Sequence, residues 1–216
     1  MSPDGRWVAY HVVRDAERDI RVVAASGGAP VAVAPSPAAD YLPSWSPDGA
    51  TLLFTSLRSG REEAWGVAMK DGRPMGEPRR LAPQVPFPHA FPRFLPDGRS
   101  LVVLSGETGR GDVGVLPPGG SPPRRLTADG RSWFALPDPS SGELVVIGRG
   151  AGGFRELRSL PLDGGEPRPV PWARPGSAAA DLFSFDVSAD GALALLVEEL
   201  HRGDVWLLEA GKGRKF

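Results

Sequence analysis

The sequence predicts an all-β protein, a β-propeller of about five four-stranded antiparallel blades. Three observations carry this. A turn of the form x-Pro-Asp-Gly, or a near copy, occurs four times: Ser2-Pro3-Asp4-Gly5, Ser46-Pro47-Asp48-Gly49, Leu95-Pro96-Asp97-Gly98 and Ser188-Ala189-Asp190-Gly191. Each turn leads into a short apolar run: Trp7 to Tyr10, Thr51 to Phe54, Leu101 to Leu104, Ala192 to Leu196. Helix signals are almost absent, because Gly or Pro interrupts every stretch that would hold an i, i+3, i+4, i+7 apolar face.

The turn has a mechanism. Pro presets φ at the second position, Asp bonds its own backbone, and Gly supplies positive φ. A fifth, degenerate copy lies at Leu136-Pro137-Asp138-Pro139-Ser140-Ser141-Gly142, before Glu143 to Ile147. The turn Asp then falls at 4, 48, 97, 138 and 190, with spacings of 44, 49, 41 and 52 residues. Units of that length match a four-stranded blade. The blades are expected at roughly 1–39, 40–88, 89–130, 131–178 and 179–216, all in a single domain.

Within each unit the strands follow from apolar runs between turns. The inner strand precedes the turn: Tyr41 to Trp45, Ala90 to Leu95, Ser132 to Leu136 and Leu182 to Val187. The second strand follows the turn. The third opens on or near an acidic residue: Asp19, Glu63, Asp112, Glu156 and Asp204. A Gly/Pro turn such as Gly119-Gly120 leads to an outer strand: Pro30 to Ala34, Pro78 to Leu81, Pro123 to Leu126 or Pro167 to Val170.

Trp45-Ser46-Pro47-Asp48-Gly49 through Phe54-Thr55-Ser56, and Gly119-Gly120 through Arg124-Arg125-Leu126-Thr127, resemble the repeat of TolB-like β-propellers, a WD40-like propeller family. The resemblance covers essentially the whole chain, and it rests on turn and core residues. It implies a non-catalytic scaffold that binds a protein or a small ligand at a propeller face, acting as a monomer in a bacterial periplasmic or other extracytoplasmic setting. Propellers of this family typically have six blades. Two alternatives stay open: the C-terminal sensor propeller of a membrane kinase or transcription regulator, and the accessory propeller of a prolyl-oligopeptidase-like peptidase without its hydrolase domain.

The first blade begins at its turn, without an inner strand. The last has only Arg214-Lys215-Phe216 after the turn at Ala210-Gly211-Lys212-Gly213. Both end blades are therefore expected to be incomplete, as part of a six-bladed ring that belongs to a longer protein; the alternative is a five-bladed ring with ragged first and last blades. Met1 to Gly5 carries no basic stretch or apolar run of a secretory leader, and no apolar run reaches membrane-spanning length.

Composition excludes some chemistry. Lys+Arg total 25 against Asp+Glu 26, for a net charge of -1, so nothing electrostatic favours nucleic acid or an anionic membrane. There is no Cys, hence no disulfide, thiolate metal site or Cys nucleophile. His11, His89 and His201 have no metal-ligand spacing, and their default reading is an exposed loop histidine. No G-x-S-x-G elbow occurs. No catalytic residue, cofactor or metal is therefore expected.

Other motifs reduce to scaffold. Gly148-Arg149-Gly150-Ala151-Gly152-Gly153 fits G-x-G-x-x-G, but a strand rather than a helix is expected after it, so it reads as a hairpin. Arg110-Gly111-Asp112 and Arg202-Gly203-Asp204 both enter third strands and read as turn chemistry. Most aromatics of the inner and second strands read as core between blades. Two aromatic, Pro-rich runs before inner strands remain as a contact surface, with Phe87, His89 and Phe91 in one and Trp172 and Arg174 in the other.

Overall fold

Among the described residues of the computed structural model, strands account for nearly all regular structure, with one 3-10 turn at Pro118–Gly120. Residues 1–14, 17–107, 110–150, 155–170, 181–187, 193–199, 204–209 and 212–215 are described. The chain divides into two compact units: Met1–Thr108 with Gly114–Arg124, and Gly109–Val113 with Arg125–Phe216.

The first blade has three strands, β1 (Trp7–Arg14), β2 (Glu17–Ala24) and β3 (Val31–Ala32), in that order. No inner strand precedes β1, as the position of the first turn predicts. The second blade orders β4 (Asp40–Trp45), β5 (Thr51–Ser56), β6 (Glu63–Lys70) and β7 (Arg73–Pro74), with β8 (Arg79–Arg80) also paired to β6. The third orders β9 (His89–Phe94), β10 (Leu101–Glu107) and β11 (Arg110–Leu116), with β12 (Arg124–Arg125) on β11. The fourth runs β13 (Ser132–Pro137), β14 (Leu144–Arg149), β15 (Arg155–Leu160) and β16 (Arg168–Pro169). The fifth runs β17 (Asp181–Val187), β18 (Leu193–Glu199), β19 (Asp204–Glu209) and β20 (Lys212–Lys215).

The last blade corrects the expectation of incompleteness. Lys212–Lys215 pairs with β19, Trp206 opposite Lys215, so four residues suffice for a fourth strand. The outer strands of the second, third and fourth blades are only two residues long and carry Arg or Pro. Short, charged, Pro-bearing edges resist pairing with other chains.

The turns are built as their residues dictate. In the first, Ser2 Oγ donates to Asp4 Oδ1 (2.6 Å), Trp7 N to Ser2 Oγ (2.9 Å) and Gly5 N to Ser2 O (2.9 Å). The second repeats this with Ser46, Asp48, Thr51 and Gly49 at 2.6, 2.8 and 2.9 Å. In the third, Leu95 replaces the Ser, and Ser100 moves the hydroxyl to the far side of Asp97. The degenerate fourth copy still closes on its Asp: Ser140 N and Ser141 Oγ donate to Asp138, and Gly142 takes φ 71°.

The core of the first unit explains why Leu52-Leu53-Phe54 shows no polar alternation. Successive side chains on a strand face opposite ways. Leu52 and Phe54 pack with Ile20, Val22, Val67 and Met69, while Leu53 packs with Val85, Leu101, Val103 and Leu116. All three are fully buried. A middle blade is covered on both faces, so both sets of positions must be apolar.

Candidate binding face

Four inner strands, β4, β9, β13 and β17, each contain a register shift. In β4, Tyr41 pairs with Thr55 and Ser44 with Leu53, so Leu42 and Pro43 together oppose Phe54. In β9, Ala90 pairs with Leu104 and Arg93 with Val102, so Phe91 and Pro92 oppose Val103. Two residues against one make a β-bulge, a device that re-aims side chains and recurs near functional sites. Leu42 and Phe91 take φ of 55° and 57°. Positive φ on a bulky residue is strained backbone, and it persists only where its surroundings enforce it. Here they do: Phe91 N donates to the buried hydroxyl of Thr55 (2.9 Å), and Arg93 Nη1 donates to Pro92 O (3.0 Å) and Leu42 O (3.4 Å). Sequence reading missed the bulges. Their signal is Pro at the same repeat position, Pro43 and Pro92, since Pro disfavours helical φ/ψ in the residue before it and cannot donate to a ladder.

Beneath these bulges lies a set of buried charges. Asp40, the first residue of β4, is fully buried; Arg58 Nη2 donates to it (2.7 Å) and to Ala34 O (2.5 Å). Glu63, also fully buried, accepts from Ser59 Oγ (2.5 Å), Arg61 Nε (2.7 Å) and Arg80 Nη2 (2.7 Å). Burial pushes its pKa up, but those three donors outweigh it and hold the carboxyl below its ordinary value. Arg61 also donates to Val85 O (3.0 Å) and Pro86 O (3.1 Å), which ties the loop before β9 to the second blade. Tyr41 donates its hydroxyl to Glu62, and Arg18 lies 5.3 Å from the Tyr41 ring centre.

The structure relocates the first predicted contact run. His89 is not an exposed loop histidine: it is the first residue of β9, 1 % exposed, with Nδ1–H donating to Phe87 O (2.9 Å) and its backbone N–H donating to Glu62 O (3.0 Å). Burial pushes its pKa down, against the pull of the Phe87 carbonyl and Glu63. The loop is held this closely because Arg61 anchors it. Phe87 is half-buried against the core with Leu53 and Val85, and Phe91 sits partly exposed on its bulge. His11 lies within β1, paired with Ile20, rather than after the strand, because the β1–β2 hairpin continues to Arg14. Trp172, Arg174 and His201 lie outside the described residues.

Two motifs find their structural role. Asp112 of Arg110-Gly111-Asp112 is buried and accepts from Arg125, Thr127 Oγ1 (3.3 Å) and Gly130 N (2.9 Å). Glu63 with Arg80 and Asp112 with Arg125 occupy matching places, so the acid opening the third strand staples the outer strand. The Gly-rich run is followed by β15, with Arg149 paired to Arg155, and so belongs to a hairpin. Among the described residues no group of three His, Cys, Asp or Glu is placed to hold a metal ion. The face combines a rigid, charge-braced base with partly exposed Phe91 and Arg93. That arrangement suits contact better than proton transfer, since its buried carboxylates already accept from Arg.

No family model matches the chain. Among curated proteins, the Tol-Pal system protein TolB of Anaeromyxobacter dehalogenans strain 2CP-C is 36% identical over 89 residues, 40% of this chain and 19% of that protein. Tricorn protease homolog 1 of Streptomyces coelicolor is 31% identical over 155 residues, 69% of this chain and 14% of that protein. The chain thus spans about a fifth of the TolB relative it matches. Among solved structures, TolB from Acinetobacter baumannii superposes with a TM-score of 0.78 at 18% identity, covering 97% of this chain and 52% of that one. A putative TolB from Agrobacterium tumefaciens gives 0.74 at 17% identity, covering 99% and 77%. A puromycin hydrolase gives 0.63 at 19%, covering 100% and 36%. Likeness at such identity speaks for fold. Repeat residues, blade topology and relatives agree that this chain is built of TolB-like β-propeller repeats.

Proposed function

We propose that the chain is a non-catalytic binding module that docks a protein partner on the face where β4 and β9 begin, in an extracytoplasmic setting like that suggested by its TolB relatives. The observation that carries this reading is the pair of strained Leu42-Pro43 and Phe91-Pro92 bulges at one repeat position. They are braced by Thr55 and Arg93 above fully buried Asp40 and Glu63. Rigid backbone lowers the entropy lost on docking, and aromatic residues and Arg are both enriched at interfaces. Phe87, His89 and Phe91 serve this face in different ways: Phe91 as a contact, Phe87 and His89 as its support. Trp172 and Arg174 are proposed as contacts on a second run.

The test is calorimetry of the purified chain against the Pal component of the Tol-Pal system from the same genome. The expected result is saturable binding that weakens at least about tenfold in Phe91→Ala and in Arg93→Ala, the size of an interface hot spot. Absence of binding, or binding indifferent to both changes, overturns the reading. The puromycin hydrolase likeness supports a second one, an accessory propeller beside a hydrolase. It predicts that the chain associates with a separately expressed peptidase domain from the same genome instead of with Pal.

A further inference from the structure

At the opposite end of the first unit, the two Ser-Pro-Asp-Gly turns and the β6–β7 hairpin enclose a cleft of about 280 Å³. Its walls include Trp7, Trp45, Met69 and Gly72, and its rim carries Asp4, Arg6, Asp48, Lys70 and Asp71. The repeat accounts for Trp45, whose counterpart in the third blade is Phe94. It does not account for Trp7. The third residue after the turn Asp is Thr51 in the second blade and Ser100 in the third. In the first two blades the turn uses backbone groups of that residue: its N–H donates to Ser2 Oγ here and to Ser46 Oγ in the second blade, and its C=O accepts from Ser2 N and Ser46 N. A large aromatic is therefore an addition to the scaffold.

The hairpin is shaped around that ring. Lys70 pairs with Arg73, leaving the two-residue loop Asp71-Gly72 with φ of 47° and 71°. Positive φ at both positions is the type I′ turn. A Cβ on Gly72 would run into the Trp7 ring, so only glycine lets the ring lie there with Asp71 as its neighbour. Trp7 and Trp45 each pack one side against the core and stay partly exposed. The indole N–H of Trp45 is buried with no acceptor, so packing alone holds that wall.

Three carboxylates face two cations on the rim. Arg6 is held by Asp4 at 2.6 Å and approaches Asp71 only to 4.0 Å, and Asp71 remains 69% exposed. Asp48 is exposed and accepts from Ser46 Oγ and Ala50 N. The geometry points to a binding site for an organic ammonium group, seated against the tryptophans and compensated by Asp48 and Asp71. The electron-rich face of an indole and a net negative rim both attract a cation and give nothing extra to a neutral group of the same shape. The site is separate from the proposed binding face and stands whether or not that face binds Pal.

The test is titration of the full chain with choline and with its neutral isostere 3,3-dimethylbutan-1-ol, followed by tryptophan fluorescence and indole NMR. Choline is expected to bind at least about tenfold tighter than the alcohol. Trp7→Thr installs the residue of the second blade, and a melting curve checks that it folds. It is expected to lose choline about tenfold or more. Asp71→Asn leaves the apolar walls intact and is expected to lose it severalfold. Equal binding of choline and the alcohol, no saturable change with choline, or full binding by folded Trp7→Thr overturns the proposal. A parallel titration with N-acetyl-lysine methylamide distinguishes the source: the tighter ligand identifies a small quaternary ammonium or a lysine side chain as the natural occupant.

Discussion

The two ends of the second blade use carboxylates in opposite ways. At the turn end, Asp48 is exposed and accepts from residues two positions away, Ser46 and Ala50. At the other end, Asp40 and Glu63 are fully buried, and their partners lie up to 18 positions away. The first kind of contact forms as soon as the local chain bends. The second exists only after strands and blades have packed, and it holds charge where water cannot screen it. A turn carboxylate shapes the chain, whereas a buried one locks shape already made, and the strained bulges sit beside the locked end.

The sharpest way to break this contrast is Asp40→Ala. It leaves Arg58 without its buried carboxylate and is expected to destabilise the fold by about 3–5 kcal/mol. Urea unfolding followed by tryptophan fluorescence measures it. A loss of only about 1 kcal/mol would mean that the buried charges do not lock the blade. Next, Thr55→Val keeps the shape but leaves the Phe91 N–H without its acceptor, an expected loss of about 1–3 kcal/mol. Partner binding should weaken with it, since the bulge loses its brace.

Proton linkage separates the ends further. His89 is pushed below its ordinary value of 6.5 by burial, so the unfolded chain binds the proton more readily. Its contribution is complete above pH 6.5 and declines as pH falls below that value. Asp48, Asp97, Asp138 and Glu63 are all held below their ordinary values. Their contributions are complete above about pH 4.5 and disappear as pH drops through the folded values. Stability is therefore expected to fall in two stages on acidification, and His89→Gln should remove only the first. A pH series of urea midpoints reads this directly. The smallest effect is expected for Asp48→Ala, about 1 kcal/mol, because Asp48 itself is exposed and the hydrogen bonds lost are neither charge-paired nor fully buried.

Much of the fold could be read from the chain because its signals are local. Pro, Asp and Gly specify each turn from within a few residues, and Ser140, Ser141 and Gly142 rebuild the degenerate copy around Asp138 by the same rule. Apolar runs placed the strands to within a residue or two at their inner ends. The short outer strands were read too long at their starts, since each begins only after a Pro that has no N–H to donate: Pro30, Pro78, Pro123 and Pro167. The Asp71-Gly72 hairpin carried a legible signal, as did Pro43 and Pro92, once the repeat is aligned strand by strand.

The sequence alone determined the repeat, its period and the strand-rich character of the described residues, because sterics and hydrogen bonding over a few residues decide these. Tertiary structure decided the fate of the charges. The same residue types became exposed turn braces at Asp4 and Asp48 and buried staples at Asp40, Glu63 and Asp112. Only packing brings Arg58, Arg80 and Arg125 to the latter. It also buried His89, which composition and spacing read as exposed, and set Trp7 against Gly72. Burial depends on which blades cover a strand, and that information lies in contacts tens of residues apart.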